Sequence, residues 1–467
     1  MSNATITADI RLTNFRLDIF GQIPALKSYT NISSVYSVPD ASSRSSIIDT
    51  LVKGLERLAA SFPWVAGRVV VEGNTEGNTG VCKIKPFAKL PPLLVVRDYQ
   101  EGSSALSMGS LRDAQFPMSM LDESLVAPIS TLPADTDFPN GRPVFLVQAT
   151  FIPGGLILTF VGEHRAMDIT GQNHLIHLLS KACGDEPFSP VELSIGNMPR
   201  HNIIPPLEDH DADSHLPGQF PPNTPAEHQQ ASTPPSTWAC FHLSSSSLSA
   251  LKSLTNESLL ASYISTDDAL SAFIWQSILR ARRPRIPSFS SFSYLSSLSS
   301  SSSSTLLRAV DLRPILTIPQ TYPGVLMMVT PTTSPLHHQE LPLGHLASLL
   351  RTDIHPNKLS TAARTFATTL HHTPDKRRVP FAPNMNPATN VMFSSWSKVA
   401  LYALHFHLGL GCPEAVRRPR LFPVEGLVYA MPRDREGGIV VEVCLRDEDL
   451  ARLRRDGAFS RFATYIG

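Results

Sequence analysis

The stretch GEHRAMDITGQ, Gly162–Gln172, sets a histidine and an aspartate four residues apart, directly after the apolar run GGLILTFV, Gly154–Val161. Two readings compete for it. One is a helix start that happens to contain a histidine. The other is a catalytic base, His164, held by a carboxylate, Asp168. A neutral imidazole is a good general base near neutral pH, because its ordinary pKa lies close to the working pH. It needs a fixed ring direction. Asp168 need not touch the ring to supply this, since it is also placed to anchor the turn through an arginine.

Working outward, PVFLVQATFIPGGLILTFVGEH predicts a β-hairpin with its turn at Pro153–Gly155. Its second strand delivers Glu163 and His164 at the C-terminal end. DITGQNHLIHLLSKACG then predicts a helix ending near Gly184. The motif therefore sits where a strand hands over to a helix, a junction that aims side chains from rigid elements into a cleft. Upstream, Ile48, Leu51, Leu55, Leu58 and Phe62 fall at steps of three and four, one face of a helix that Pro63 stops. AGRVVVEGNTEGNTGVCKIKP predicts another hairpin around a Gly/Asn turn.

The chain has 467 residues, more than one core usually fills, so two domains of roughly 200 residues are expected. Lys plus Arg equals Asp plus Glu, 40 against 40, which gives no long-range pull on nucleic acid or anionic membranes. The five cysteines are scattered and form no CxxC, so neither a disulfide framework nor a zinc ribbon is indicated. The start lacks a basic n-region and an apolar h-region, and no apolar run approaches a membrane span. A cytoplasmic protein is expected.

Residues 201–237 are Pro-rich and polar, and read as a crossover linker. They separate an N-terminal domain, 1–200, from a C-terminal domain, 238–467. Within the latter, STDDALSAFIWQSILRARR predicts a helix with Leu270, Phe273, Ile274 and Ile278 on one face. Ser288–Thr305 reads as a low-complexity surface insertion. The preceding RARRPR, Arg280–Arg285, suits either a phosphate contact or a solvated helix end. Near the C-terminus two strands around PRDREGG and a terminal amphipathic helix are expected. The sequence lacks GxGxxG after a strand, a P-loop, HExxH and GxSxG, which argues against nucleotide hydrolases, dinucleotide enzymes, zincins and typical serine hydrolases.

HRAMDITGQ, with FPWVAGRVV upstream, STDDALSAFIWQSI in the middle and SSWSKVALYALHFHLGLGCPEAVRRP…EGLVYAMPR near the end, resembles the BAHD acyltransferase family. The likeness spans nearly the whole chain and is strongest to the fungal branch that includes trichothecene 3-O-acetyltransferase. Peptide-synthetase condensation domains share the fold but double the histidine, and Glu163 stands where their first one would be.

The resemblance implies an α/β fold of two chloramphenicol-acetyltransferase-like domains, each a mixed sheet with helices, with an active-site channel between them. It implies O-acylation of a small-molecule alcohol, a secondary metabolite of fungal type. Acetyl-CoA or another acyl-CoA would be the cosubstrate, with no bound cofactor and no metal, and the protein would act as a monomer. His164 would be the general base and Asp168 the structural anchor. Ser394 or Ser395 would donate to the oxyanion, and Trp396 would wall the acceptor pocket. Tyr322 would line the channel, with Met327 and Met328 lining it or packing in the core.

The family's second signature, DFGWG, departs here to HFHLG, with His405 and His407 replacing Asp and Gly. The resemblance implies Arg313 as partner of the missing Asp, a partner that His405 would repel. Three readings stay open. The loop is held otherwise and activity is retained, the scaffold is repurposed for CoA-independent proton transfer, or it is a silent binder. On a strand, His405 and His407 would share a face and with His164 suggest a zinc site, although a substitution in a familiar loop argues against one. His174 and His177, three apart on a helix, read as satisfied structural or surface residues.

Overall fold

The computed structural model describes residues 15–99, 106–208, 235–286, 303–336, 341–382 and 386–467. Both expected hairpins form. Phe145–Ile152 and Gly155–Glu163 pair antiparallel around Pro153-Gly154, and Arg68–Glu72 pairs with Val81–Lys85. The helix Arg44–Ser61 buries Ile47, Leu51, Gly54, Leu55 and Leu58, with Ile48 half-buried against the same core. Its face packs on the helix Ile169–Cys183.

Three sheets organise the molecule. A five-stranded sheet runs in the order Ala415–Arg417, Tyr29–Ser37, Gly155–Glu163, Phe145–Ile152, Leu94–Asp98. A seven-stranded sheet runs Met327–Pro335, Ser303–Asp311, Val391–Ser395, Leu427–Ala430, Ile439–Arg446, Ser236–Leu243, Thr464–Tyr465. A small four-stranded sheet carries the Arg68–Lys85 hairpin. The strand Ala415–Arg417 comes from the C-terminal third, yet it extends the sheet of the N-terminal half. That excursion ties the two halves together through backbone hydrogen bonds.

The faces of the seven-stranded sheet are used differently. Trp238, Cys240, Trp396 and Cys444 project into a core shared with Leu158, Phe160 and Leu175 of the N-terminal half. Phe241, Val441, Val443 and Ala430 lie in a second core under the helix Thr266–Arg282. That helix is buried nearly all round, including Ala272, Trp275 and Gln276, and not on one face alone. Its capping box joins Ser265 to Asp268.

In the basic cluster at its end Arg283 is exposed, while Arg280, Arg282 and Arg285 are engaged within the protein. Arg280 pairs with Asp456 at 2.9 Å, Arg285 with Asp449 at 2.7 Å and Glu425 at 2.5 Å, and Arg282 is fully buried on the carbonyl of Asn390. The pairs with Asp449 and Asp456 dock the C-terminal helix Asp447–Arg455. Of the Ser-rich run, 288–302 lies outside the described residues, while Ser303–Thr305 begins a strand and is not insertion. Of the crossover, 209–234 lies outside them too. Ser236 and Thr237 already belong to a strand, and Ile204 is buried. Among the described residues no helix is long and apolar enough to cross a membrane, and no group of three or more His, Cys, Asp or Glu is arranged to hold a metal ion.

Candidate active site

The strand Gly155–Glu163 ends in a turn, Glu163–Asp168, that places His164. Glu163 shapes it. Its fully buried carboxylate accepts from the backbone N–H of Arg165 at 2.9 Å and of Ala166 at 3.2 Å, and from Arg165 Nε at 2.7 Å. Arg165 is buried with it, and the carboxylate outweighs the burial that would lower the guanidinium pKa, which ends up raised. The backbone N–H of His164 donates to Ser28 O at 2.9 Å. With both flanks fixed, the imidazole is held half-buried. Its Nδ1 is buried and has no hydrogen-bond partner among the described residues, which leaves Nε2 as the accessible nitrogen.

Asp168 does not touch that ring. As N-cap of the helix Ile169–Cys183 it accepts from Gly171 N at 2.9 Å. It also accepts from Leu326 N at 2.8 Å and from both terminal nitrogens of Arg313, at 3.0 and 2.9 Å. Those bonds fill its acceptor sites. Arg313 spends its remaining donors on Tyr322 O, Asp311 Oδ1 and Gly324 O. Burial alone would lower its pKa, but Asp168 and then Asp311 raise it above the ordinary arginine value.

This corrects the expected pairing of Arg313. It anchors the first motif, not the HFHLG loop. A salt bridge seen as a motif-to-motif association says nothing about which carboxylate the fold brings within reach. Tyr322 is corrected as well. It is fully buried and cannot line a channel, and its hydroxyl donates to Asp18 Oδ2 at 2.9 Å.

Asp18, unremarked in the sequence, is a second clamp. It accepts from Gly21 N at 2.7 Å and Val325 N at 2.9 Å, and burial raises its pKa against those bonds. Two carboxylates of the N-terminal half thus grip the loop Tyr322–Leu326 of the C-terminal half. Glycines permit the close approach. A Cβ on Gly171 would overlap the Pro323 carbonyl oxygen, and one on Gly324 would overlap Asp18 Oδ2. Met327 and Met328 are half-buried against the core that holds Leu312 and Tyr322.

Strand alternation separates Ser394 from Ser395. Ser394 and Trp396 share a side, and Trp396 Nε1 donates to Ser394 Oγ at 3.1 Å. Ser395 points the other way, donating to Asp267 at 2.6 Å. It is therefore removed from the N-terminal half and from any oxyanion role.

The HFHLG segment is a turn, not a strand, with Phe406 and His407 at φ +49° and +53°. His405 and His407 are both exposed, with ring centroids 4.4 Å apart and edge to face. The loop is held without a salt bridge to Arg313. Phe406 is fully buried and stacks on Phe160 at 5.4 Å, and Tyr36 Oη donates to Leu404 O at 3.0 Å. His407 Nε2 lies 3.4 Å from Glu186 at the end of the helix Ile169–Cys183. His174 is not satisfied as expected. Its Nε2 is buried without a partner among the described residues, and burial lowers its pKa to about 4.

The family model described as Trichothecene 3-O-acetyltransferase-like N-terminal domain matches residues 28–183, and that of the Transferase family matches residues 119–459. The chain belongs to the Transferase family. It is 44% identical to an O-acetyltransferase of Cryptosporiopsis sp. (strain 8999), over 97% of each chain. To the trichothecene 3-O-acetyltransferase of Fusarium sporotrichioides it is 42% identical, over 99% of this chain and 100% of that one. The crystal structure of F. graminearum TRI101 complexed with Coenzyme A and deoxynivalenol is similar with a TM-score of 0.90 at 40% identity, covering 97% of this chain and 100% of that one. Within the Transferase family the BAHD resemblance and its α/β fold are met.

Proposed function

We propose that this chain transfers an acetyl group from acetyl-CoA to a hydroxyl of a small secondary-metabolite alcohol, with His164 as general base. The observation that carries the reading is the accessible Nε2 of a half-buried imidazole, on a turn locked by Glu163 and by the Asp168–Arg313 pair. The similarity to a structure holding Coenzyme A and deoxynivalenol supports the substrate pair. Domains at 1–200 and 238–467, joined by 201–237, would enclose both substrates in a channel, the protein working as a monomer. Five free cysteines fit the reducing cytoplasm.

Transfer is direct. His164 Nε2 takes the acceptor's hydroxyl proton as the oxygen attacks the thioester carbonyl. The tetrahedral oxyanion receives a hydrogen bond from Ser394, whose Oγ already accepts from Trp396 and so has its O–H left to give. Collapse breaks the C–S bond, and the CoA thiolate takes the proton back from the imidazolium. General-base help is worth about 10²–10⁴-fold, and holding both substrates together supplies much of the rest.

Incubation with acetyl-CoA and a panel of polycyclic alcohols, deoxynivalenol among them, tests the reaction class. Mass spectrometry should find a monoacetylated product matched by free thiol. Turnover of an alcohol without acetyl-CoA would overturn it.

A further inference from the structure

The register of the seven-stranded sheet sets four polar residues in one row. Ser394 pairs with Tyr429, Tyr429 with Glu442 and Glu442 with Cys240. Directly paired residues project from the same face, so this row faces the N-terminal half. Cys240 confirms the direction, since its Sγ accepts from Met118 N at 3.3 Å.

Across from the row stands Arg418, 2% exposed, just after the strand Ala415–Arg417. Its guanidinium lies 4.9 Å from the Tyr429 ring centroid and 5.5 Å from that of Trp396. The two rings meet edge to face at 5.2 Å. The same guanidinium donates to Asn31 O at 3.2 Å and Thr131 Oγ1 at 3.0 Å, both in the N-terminal half. Its backbone N–H reaches Glu442 Oε1 at 3.4 Å. Asn31 sits opposite Val161, three residues before His164 on the neighbouring strand. One cation therefore touches the strand paired with the one that delivers the base, and the aromatic pair that holds Ser394.

We propose that Arg418, whose backbone is held by Glu442, is a positioning residue for acyl transfer. It fixes the Trp396 indole against Tyr429 and thereby the direction of the Ser394 hydroxyl relative to His164. The inference rests on the reading of Ser394 as oxyanion donor. A planar guanidinium suits this task because it stacks on rings while donating in its own plane, and an ammonium does not. Glu442 has no exposure; its Oε1 accepts from Arg418 N, and its Oε2 is buried without a partner among the described residues.

Steady-state kinetics of Ser394→Ala, Arg418→Lys and the double variant, with acetyl-CoA and an accepted alcohol, test this. Arg418→Lys should lower kcat about tenfold with the acetyl-CoA KM nearly unchanged, because the reacting geometry and not the donor site is disturbed. In the Ser394→Ala background the same substitution should cost less than about twofold. Glu442→Ala, which removes the acceptor for Arg418 N, should shift kcat in the same direction, and carries the test if Arg418→Lys fails to fold. Equal losses with and without Ser394, beside an impaired Ser394→Ala, would overturn the inference alone. A Ser394→Ala variant with native kcat would overturn the donor reading beneath it.

Discussion

Arg313 donates to Asp168 twice, at 2.9 and 3.0 Å, and both side chains are sealed from solvent. One partner lies in the HxxxD turn and the other ahead of the loop Tyr322–Leu326, so the pair is a bolt between the halves of the molecule. Removing Asp168 leaves the buried Arg313 with Asp311 as its remaining carboxylate and strips Gly171 N and Leu326 N of their acceptor. Asp168→Ala should therefore lower the unfolding free energy by about 3–5 kcal/mol. Urea denaturation checks it, and an unchanged midpoint would show that the pair is dispensable.

The glycines at the same junction make a second expectation. Gly171→Ala places a methyl group where the Pro323 carbonyl sits, and what it meets is backbone and not the tip of a flexible side chain. A loss of about 1–3 kcal/mol is expected, with kcat reduced because the helix that Asp168 caps must shift. Thermal unfolding and turnover should fall together. Native values for both would mean that the loop retreats freely.

His407 occupies a left-handed backbone conformation, φ +53°, where the family's motif has glycine. A side chain there costs about 1–2 kcal/mol, partly offset by the greater chain entropy that glycine loses on folding. His407→Gly should raise stability by about 0.5–1 kcal/mol and leave kcat near native, since the Glu186 contact it removes is exposed. A destabilised variant would show that the imidazole holds the loop.

Burial pushes the Glu442 carboxyl up to about 8, against the pull of Arg417 and Arg418 and the hydrogen bond from Arg418 N. Tyr429 and Cys240 are its other neighbours across the strands, and both are neutral at these pH values. Between the ordinary 4.5 and about 8 the folded chain keeps a proton that the unfolded chain has released. Stability therefore falls as pH rises through that window, by up to about 1.4 kcal/mol per unit from this group. Glu442→Gln removes the slope. Its melting temperature should gain on the native chain's between about pH 5 and pH 8. Parallel pH profiles would contradict the assignment.

What the sequence disclosed followed periodicity and motif order. The hairpin into Glu163, the helix from Ile169 and the family were readable because each rests on neighbouring residues. Ser394 and Trp396 were named, but only the strand's direction separates Ser394 from Ser395. Pairings between distant segments were not readable. The family resemblance assigns Arg313 to the HFHLG loop, whereas the fold turns that side chain to Asp168. Asp18, Arg418 and Glu442 carried no local signal, since their partners lie in other strands and only the register brings them together. A buried charged residue amid apolar neighbours, such as Glu442 in IVVEVCL, was the one hint available. HFHLG misled because two left-handed residues made a turn of what reads as an alternating strand.

The central claim is that the His164 imidazole removes the acceptor's proton. His164→Ala, assayed for acetyl transfer from acetyl-CoA at an unchanged unfolding midpoint, measures it most directly. A fall in kcat of about 10²–10⁴-fold is expected. A folded His164→Ala protein that acetylates at the native rate would contradict the account.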